Sequence, residues 1–222
     1  MNPLQVLASA AADWERLEPY LTDLPGEAGR RLASALEAMR GPDGAAEDPA
    51  HAEAAARLVL DSLPPHETRR LIAGDDGRYS DTERNITVQG FRAADLAVLL
   101  IDRSPMVGPV LGPVRRRLLA EPALDDTYVR DQGGDPLDPA LIRLPGPQGR
   151  TLLPDFQFSR GALPWRVVLE VNTILDADRD PWGVADWWLS DNAWLGSAPA
   201  SLLGAARDEE LAGAARSLLD GE

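Results

Sequence analysis

Few residues of this 222-residue chain have the type and spacing of catalytic or metal-binding groups. Its two histidines, His51 and His66, lack the i, i+4 spacing with an intervening glutamate that holds zinc on a helix. The string from Asp176 to Asp180 begins like a calcium loop, with carboxylates at alternate positions. Its sixth position is Pro181, where such a loop needs glycine, and its twelfth is Trp187, where it needs glutamate. A helix end followed by an aspartate cap explains the string better, so we predict no metal site.

The catalytic machinery of common enzyme classes is also missing from the sequence. There is no cysteine, which excludes thiolate nucleophiles, thiolate metal sites and disulfides. All 22 basic residues are arginine, which removes the lysine of a phosphate-binding loop and the lysine of a Schiff base. The sequence contains no nucleophile elbow and no dinucleotide fingerprint. We therefore expect a protein that is not an enzyme and that carries no cofactor.

A basic triplet, Arg115, Arg116 and Arg117, suggests DNA binding. It lies near the end of the second of two predicted short helices, at 91–101 and 107–120, whose spacing is similar to that of a helix-turn-helix motif. A DNA-binding regulator that uses residues 86–120 is therefore one hypothesis. The net charge of −14 opposes it, because phosphate is repelled at long range. Glycine-proline pairs also disturb the second helix near its start, and a solvated helix face is the simpler interpretation.

Aromatic residues are concentrated towards the C-terminus. Five of the six tryptophans lie within residues 165–194, and Phe156 and Phe158 stand just before them. Large aromatic side chains dominate both protein cores and interface hot spots. Trp187 and Trp188 are adjacent on a predicted helix, so their side chains point about 100° apart. We expect at least one of them to be exposed to a partner.

Apolar residues at spacings of three and four predict the helices that position these groups. In the first third of the chain they predict helices at 4–21, 26–39 and 48–60. The last of these begins at Asp48-Pro49, a cap followed by a first-turn proline. A polar, glycine-rich run at 73–81 is the predicted domain boundary.

The second half of the chain predicts a short β-hairpin and then helices. Two apolar runs within 141–153 flank a five-residue loop rich in proline and glycine. Helices are predicted at 164–175, 180–189 and 208–219, whereas 121–139 is predicted as loop. The fold class is therefore mainly α. It comprises a helical N-terminal segment (1–75), a degenerate helix-turn-helix-like middle (82–135) and a helical C-terminal domain with the hairpin (138–222).

Five elements of the C-terminal region resemble, in their order, the Xre/MbcA/ParS-like toxin-binding domain of bacterial antitoxins. They are the hairpin, the segment Leu153-Pro154-Asp155-Phe156-Gln157-Phe158, the helix from Trp165 to Leu175, the helix from Asp180-Pro181-Trp182 to Trp187-Trp188-Leu189, and the Trp194-Leu195-Gly196 turn that leads to Leu202-Leu203. The resemblance covers about a third of the chain. Family members often carry an Xre-type DNA-binding segment ahead of this domain, a place held here by residues 86–120, and residues 3–73 have no counterpart in the pattern.

The resemblance implies a cytoplasmic antitoxin that forms homodimers and performs no chemistry. Its partner would be a RES-domain toxin, from an enzyme family that consumes NAD. The partner-binding residues then expected are Phe156, Phe158, Trp182, Trp187, Trp188, Trp194 and Leu195. A non-catalytic scaffold or adaptor remains a further alternative. No basic patch followed by an apolar run marks a signal peptide, and no apolar run approaches the length of a membrane span, so we expect no membrane partner.

Overall fold

The computed structural model describes residues 2–40, 48–73, 79–80, 87–159 and 162–219. Helices predominate in these residues, so the mainly α fold class is confirmed. Chain contacts define two compact units, an N-terminal unit (1–113) and a C-terminal unit (114–222). The sequence predicts three regions instead. The two divisions differ because the helix at 93–100, assigned to the predicted middle region, packs into the core of the N-terminal unit.

The N-terminal unit contains six helices and a small sheet among its described residues. The helices are α1 (Pro3–Ala12), α2 (Trp14–Thr22), α3 (Gly26–Arg40), α4 (Pro49–Ser62), α5 (Pro65–Ala73) and α6 (Ala93–Leu100). The strands β1 (Tyr79–Ser80), β2 (Thr87–Val88) and β3 (Phe91–Arg92) pair antiparallel in that order. A seventh helix, α7 (Gly108–Leu119), begins in this unit and ends in the next.

Helix α6 is the centre of the N-terminal core. Each of its residues is buried, and it packs on α1 and α3. Asp95 is its one charged residue, and its carboxylate accepts the backbone N–H of Arg92 (2.9 Å) and of Gly108 (3.3 Å). These bonds satisfy free backbone donors at the start of α6 and of α7. The buried aspartate therefore fixes the two helix starts relative to each other.

Of the three helices predicted in the first third of the chain, two are confirmed and one is altered. Helices α3 and α4 lie where the apolar spacing places them, and Asp48 caps α4 through the Ala50 N–H (2.9 Å). The helix predicted at 4–21 is interrupted at Asp13, whose backbone leaves helical geometry. Helix α5 was not predicted. Most of the predicted boundary at 73–81 lies outside the described residues.

The C-terminal unit consists of a three-stranded sheet and four further helices in its described part. The elements are β4 (Ala123–Asp125), α8 (Asp126–Asp131), β5 (Leu144–Pro145), β6 (Thr151–Pro154), α9 (Arg166–Ile174), α10 (Pro181–Leu189) and α11 (Asp208–Leu219). The strands are antiparallel in the order β4-β6-β5, with Leu144 opposite Leu152. The hairpin and α9 to α11 confirm the sequence prediction. Strand β4 and helix α8 correct it, because 121–139 was predicted as loop.

The core of the C-terminal unit lies against α9, α10 and α11. Its buried side chains come from one face of each helix and include Val168, Val171, Val184, Trp188 and Leu211. Asp180 caps α10 through the Gly183 N–H (2.9 Å), and Pro181 occupies the first turn. Among the described helices, none is both long and apolar enough to cross a membrane.

Candidate functional site

A buried amide network joins the hairpin region to the helices of the C-terminal unit. Gln157, fully buried after β6, accepts the backbone N–H of Ile142 (2.7 Å) through its side-chain oxygen. Its side-chain nitrogen donates to the carbonyls of Ile142 (3.1 Å) and Pro154 (3.3 Å). Burial of a polar group costs free energy unless it is hydrogen-bonded, so this glutamine depends on these partners.

Asn172 of α9 extends the network to the tryptophan helix. Its side-chain nitrogen donates to the Ala140 carbonyl (2.8 Å) and to the Gln157 oxygen (3.2 Å). Its side-chain oxygen accepts the indole N–H of Trp188 (2.8 Å). The network thereby fixes α10 against the rest of the unit.

The adjacent residues Trp187 and Trp188 differ in their solvent exposure. Trp188 is completely buried and packs against Phe156, with ring centroids 5.6 Å apart. Trp187 is half-buried and meets Trp188 edge-on at 5.1 Å. Its indole nitrogen is buried and has no acceptor among the described residues. Trp188 is therefore a core residue, and only Trp187 reaches the surface.

The most exposed aromatic side chain described is Trp194, in the loop after α10. Its side chain is 75% exposed, and its neighbour Leu195 is buried. The Asn192 side-chain oxygen accepts the backbone N–H groups of Trp194 (3.0 Å) and Leu195 (3.2 Å). The loop closes through Asn192 N–H to the Ser197 carbonyl (3.3 Å), and Gly196 adopts a positive φ of 77°. We call residues 192–197 the Trp194 loop. Its hydrogen-bonded backbone holds a large apolar side chain exposed to solvent.

The seven predicted partner-binding residues therefore do not form one surface. Trp188, Phe158 and Leu195 are buried, whereas Phe156, Trp182 and Trp187 are half-buried. Only Trp194 is largely exposed. The aromatic concentration read from the sequence thus contains both a core and a surface component.

The three arginines of the triplet also differ in their solvent exposure. Arg115 is only 7% exposed. Arg117 forms an ion pair with Asp186 and donates to the Ser190 hydroxyl (3.3 Å). Arg116 is exposed. Helix α7 continues through Pro113, so the expected disturbance of this helix does not occur, but the triplet presents no continuous basic face.

Several of the titratable residues weighed in the sequence have structural partners. His51 lies 2.9 Å from the Asp48 carboxylate at the start of α4. The Ala50 N–H, and then His51, hold the pKa of Asp48 below its ordinary value. In the Asp176–Asp180 string, Asp178 pairs with Arg143 and Asp180 caps α10. The described part of the chain contains no group of three or more histidine, aspartate or glutamate side chains placed to hold a metal ion.

The sequence does not predict the roles of three residues of this site: Gln157 and Asn172, which form the buried amide network, and Asn192, which orders the Trp194 loop. A polar residue on the apolar stripe of α9 was a usable signal for Asn172, since a buried amide needs partners. The role of Asn192 had no such signal.

Comparisons with protein-family models, with curated proteins and with solved structures find no match for this chain.

Proposed function

We propose that this chain is an antitoxin-like protein that binds and neutralises a RES-type, NAD-consuming toxin through its C-terminal unit. It acts by binding, as a homodimer in the cytoplasm, and catalyses no reaction itself. The observation that supports the proposal most is the exposed side chain of Trp194 on a loop that is ordered by hydrogen bonds. The order of the motifs around this loop, given above, supplies the partner class.

The energetics favour a partner at Trp194. A tryptophan side chain buries roughly 150–250 Å² when it is covered, which at about 25 cal/mol per Å² corresponds to roughly 3–5 kcal/mol for its exposed part. The hydrogen bonds of Asn192 order the loop in advance, so binding loses less conformational entropy. Tryptophans in this setting are typical interface hot spots.

Charge favours a basic partner surface. Within 151–222 there are 5 arginines against 12 acidic residues. Two of those arginines, Arg207 and Arg216, already pair with glutamates of the same unit. Exposed carboxylates, including Asp191 beside the Trp194 loop, are left to face a partner. A partner with cationic side chains around an apolar pocket fits this surface.

The proposal is tested by co-expressing the chain with the protein encoded beside it. The expected result is a stable complex that purifies together, restored growth and restored cellular NAD. If the adjacent protein is toxic and depletes NAD but neither binds nor is neutralised, the antitoxin assignment is wrong. A harmless adjacent protein that binds through Trp194 would instead support the scaffold alternative.

A further inference from the structure

An open cleft of about 370 Å³ lies within the N-terminal unit. The junction of α1 and α2 forms one side of it, and β3, α6 and the segment before α7 supply the other residues that line it. Two aromatic side chains, Trp14 and Phe91, line the cleft together with the aliphatic Leu99 and Val107. A volume of this order is typical of a small-molecule site.

The charged side chains at the cleft are predominantly acidic. Asp13, Glu15 and Arg16 all line it. Arg16 is shared between Asp13 and the buried Glu67, which together neutralise its charge. Glu15 is exposed and forms no ion pair with any residue that the structure describes. The cleft therefore offers a free carboxylate next to an apolar, aromatic wall.

The aromatic wall is held in place before any ligand arrives. Phe91 packs on Gly108, where an added Cβ would lie 2.7 Å from the ring. Gly108 has a φ of +77°, and its N–H is bound by Asp95. Only glycine permits both this backbone and this close approach. The ring is consequently fixed by the same contacts that start α7.

We infer that this cleft binds a small organic cation, in which a quaternary or protonated amine is attached to an apolar body. Aromatic rings attract cations through their negative faces, and the effect is largest for tryptophan. The free Glu15 carboxylate adds a charge of the required sign, while Leu99 and Val107 cover the apolar body. A neutral ligand gains only the apolar contacts, and an anion meets repulsion. This inference concerns the N-terminal unit and does not depend on the proposed partner of the C-terminal unit.

The test uses choline and benzyltrimethylammonium as probes and follows the indole N–H signals of the full chain by heteronuclear NMR. The Trp14 signal is identified by its loss in Trp14→Phe. We expect each cation to shift it saturably at constant ionic strength. The carbon isostere of choline, in which a tert-butyl group replaces the trimethylammonium group, should bind roughly tenfold more weakly.

A matched pair of substitutions tests the carboxylate. Glu15→Gln should weaken cation binding about two- to fivefold, whereas Glu18→Gln, on the same helix and outside the cleft, should leave it unchanged. Equal binding of choline and its isostere would overturn the inference, as would equal effects of the two glutamate substitutions. Absence of a saturable Trp14 shift with both cations, in a protein whose spectrum shows it to be folded, would overturn it as well.

Discussion

The two units each contain a buried polar cluster, and the two clusters differ in chemical kind. In the N-terminal unit, Arg40 is buried and forms ion pairs with Asp102 and Glu37, each at 2.6 Å. In the C-terminal unit, the neutral amides of Gln157 and Asn172 form the buried network that ends on Trp188. Buried ions carry a large desolvation cost that only their partners offset, whereas amides carry a smaller one. Single substitutions should therefore be more damaging at the ion pair than in the amide network.

The largest effect is expected from Arg40→Ala. The substitution removes a buried guanidinium and breaks its ion pairs with Asp102, whose side chain is fully buried, and with Glu37, so it should lower the free energy of unfolding by about 3–5 kcal/mol. Urea unfolding followed by far-ultraviolet circular dichroism measures the loss. The control is Arg57→Ala, which breaks an exposed pair with Glu53 and should cost below about 1 kcal/mol. Equal losses in the two variants would contradict the account of the buried pair.

Gln157→Leu should cost about 2–4 kcal/mol, because it leaves the Ile142 N–H without its acceptor and removes one of the two acceptors of the Asn172 side-chain nitrogen. The loss should be the same at mildly acidic and neutral pH, since amides do not ionise in this range. Tryptophan fluorescence is a suitable probe, because five of the six tryptophans belong to the C-terminal unit. Gln132→Leu, at an exposed position of the same unit, provides the matched control and should be nearly neutral. A pH-dependent loss would show that ionisable groups, not amides, support this core.

A smaller effect is expected at the start of α10. Asp180→Ala removes the side-chain acceptor of the Gly183 N–H and should cost about 1 kcal/mol of stability. Asp180→Asn keeps an acceptor and should recover most of the loss, which thermal unfolding can resolve. If the asparagine variant is as unstable as the alanine variant, charge and not the cap hydrogen bond is what matters there.

The smallest effect is a pH dependence at the start of α4. The Ala50 N–H and His51 hold the folded-state pKa of Asp48 below its ordinary value. The contribution of Asp48 is therefore present above the unfolded-state pKa and is lost as the pH falls through the folded-state pKa. We expect the stability difference between the native chain and Asp48→Ala to shrink on acidification through this range. A difference that stays constant with pH would mean that the carboxylate charge contributes nothing.

The local elements of both units could be predicted where the sequence carries an explicit start signal. Asp48-Pro49 and Asp180-Pro181 each mark a helix start because the cap and the first-turn proline act on their own neighbours. The hairpin around 145–149 is local in the same sense. Strand β4 was missed because it is specified by its pairing with β6, which is distant in sequence. Helix α8 was missed although Asp125 caps it locally through the Tyr128 N–H.

The candidate site was only partly predictable for the same reason. Spacing alone places Trp187 and Trp188 on different sides of α10 but does not reveal which side the core occupies. The answer depends on Asn172, which accepts the Trp188 indole from another helix. The sequence predicts Trp194 as one of seven partner-binding residues but does not show that it is the most exposed of them. Its exposure depends on the Asn192 turn, which directs Leu195 into the core and leaves Trp194 at the surface.

The central claim, that the Trp194 loop is a partner-binding surface, is tested most directly by titration calorimetry with the purified protein that is encoded beside this chain. We predict that Trp194→Ala weakens binding by about 2 kcal/mol, roughly thirtyfold in Kd, while leaving the unfolding transition unchanged. Tyr128→Ala, which removes another exposed aromatic side chain of the same unit, should bind like the native chain. Native affinity in a folded Trp194→Ala variant would contradict the claim.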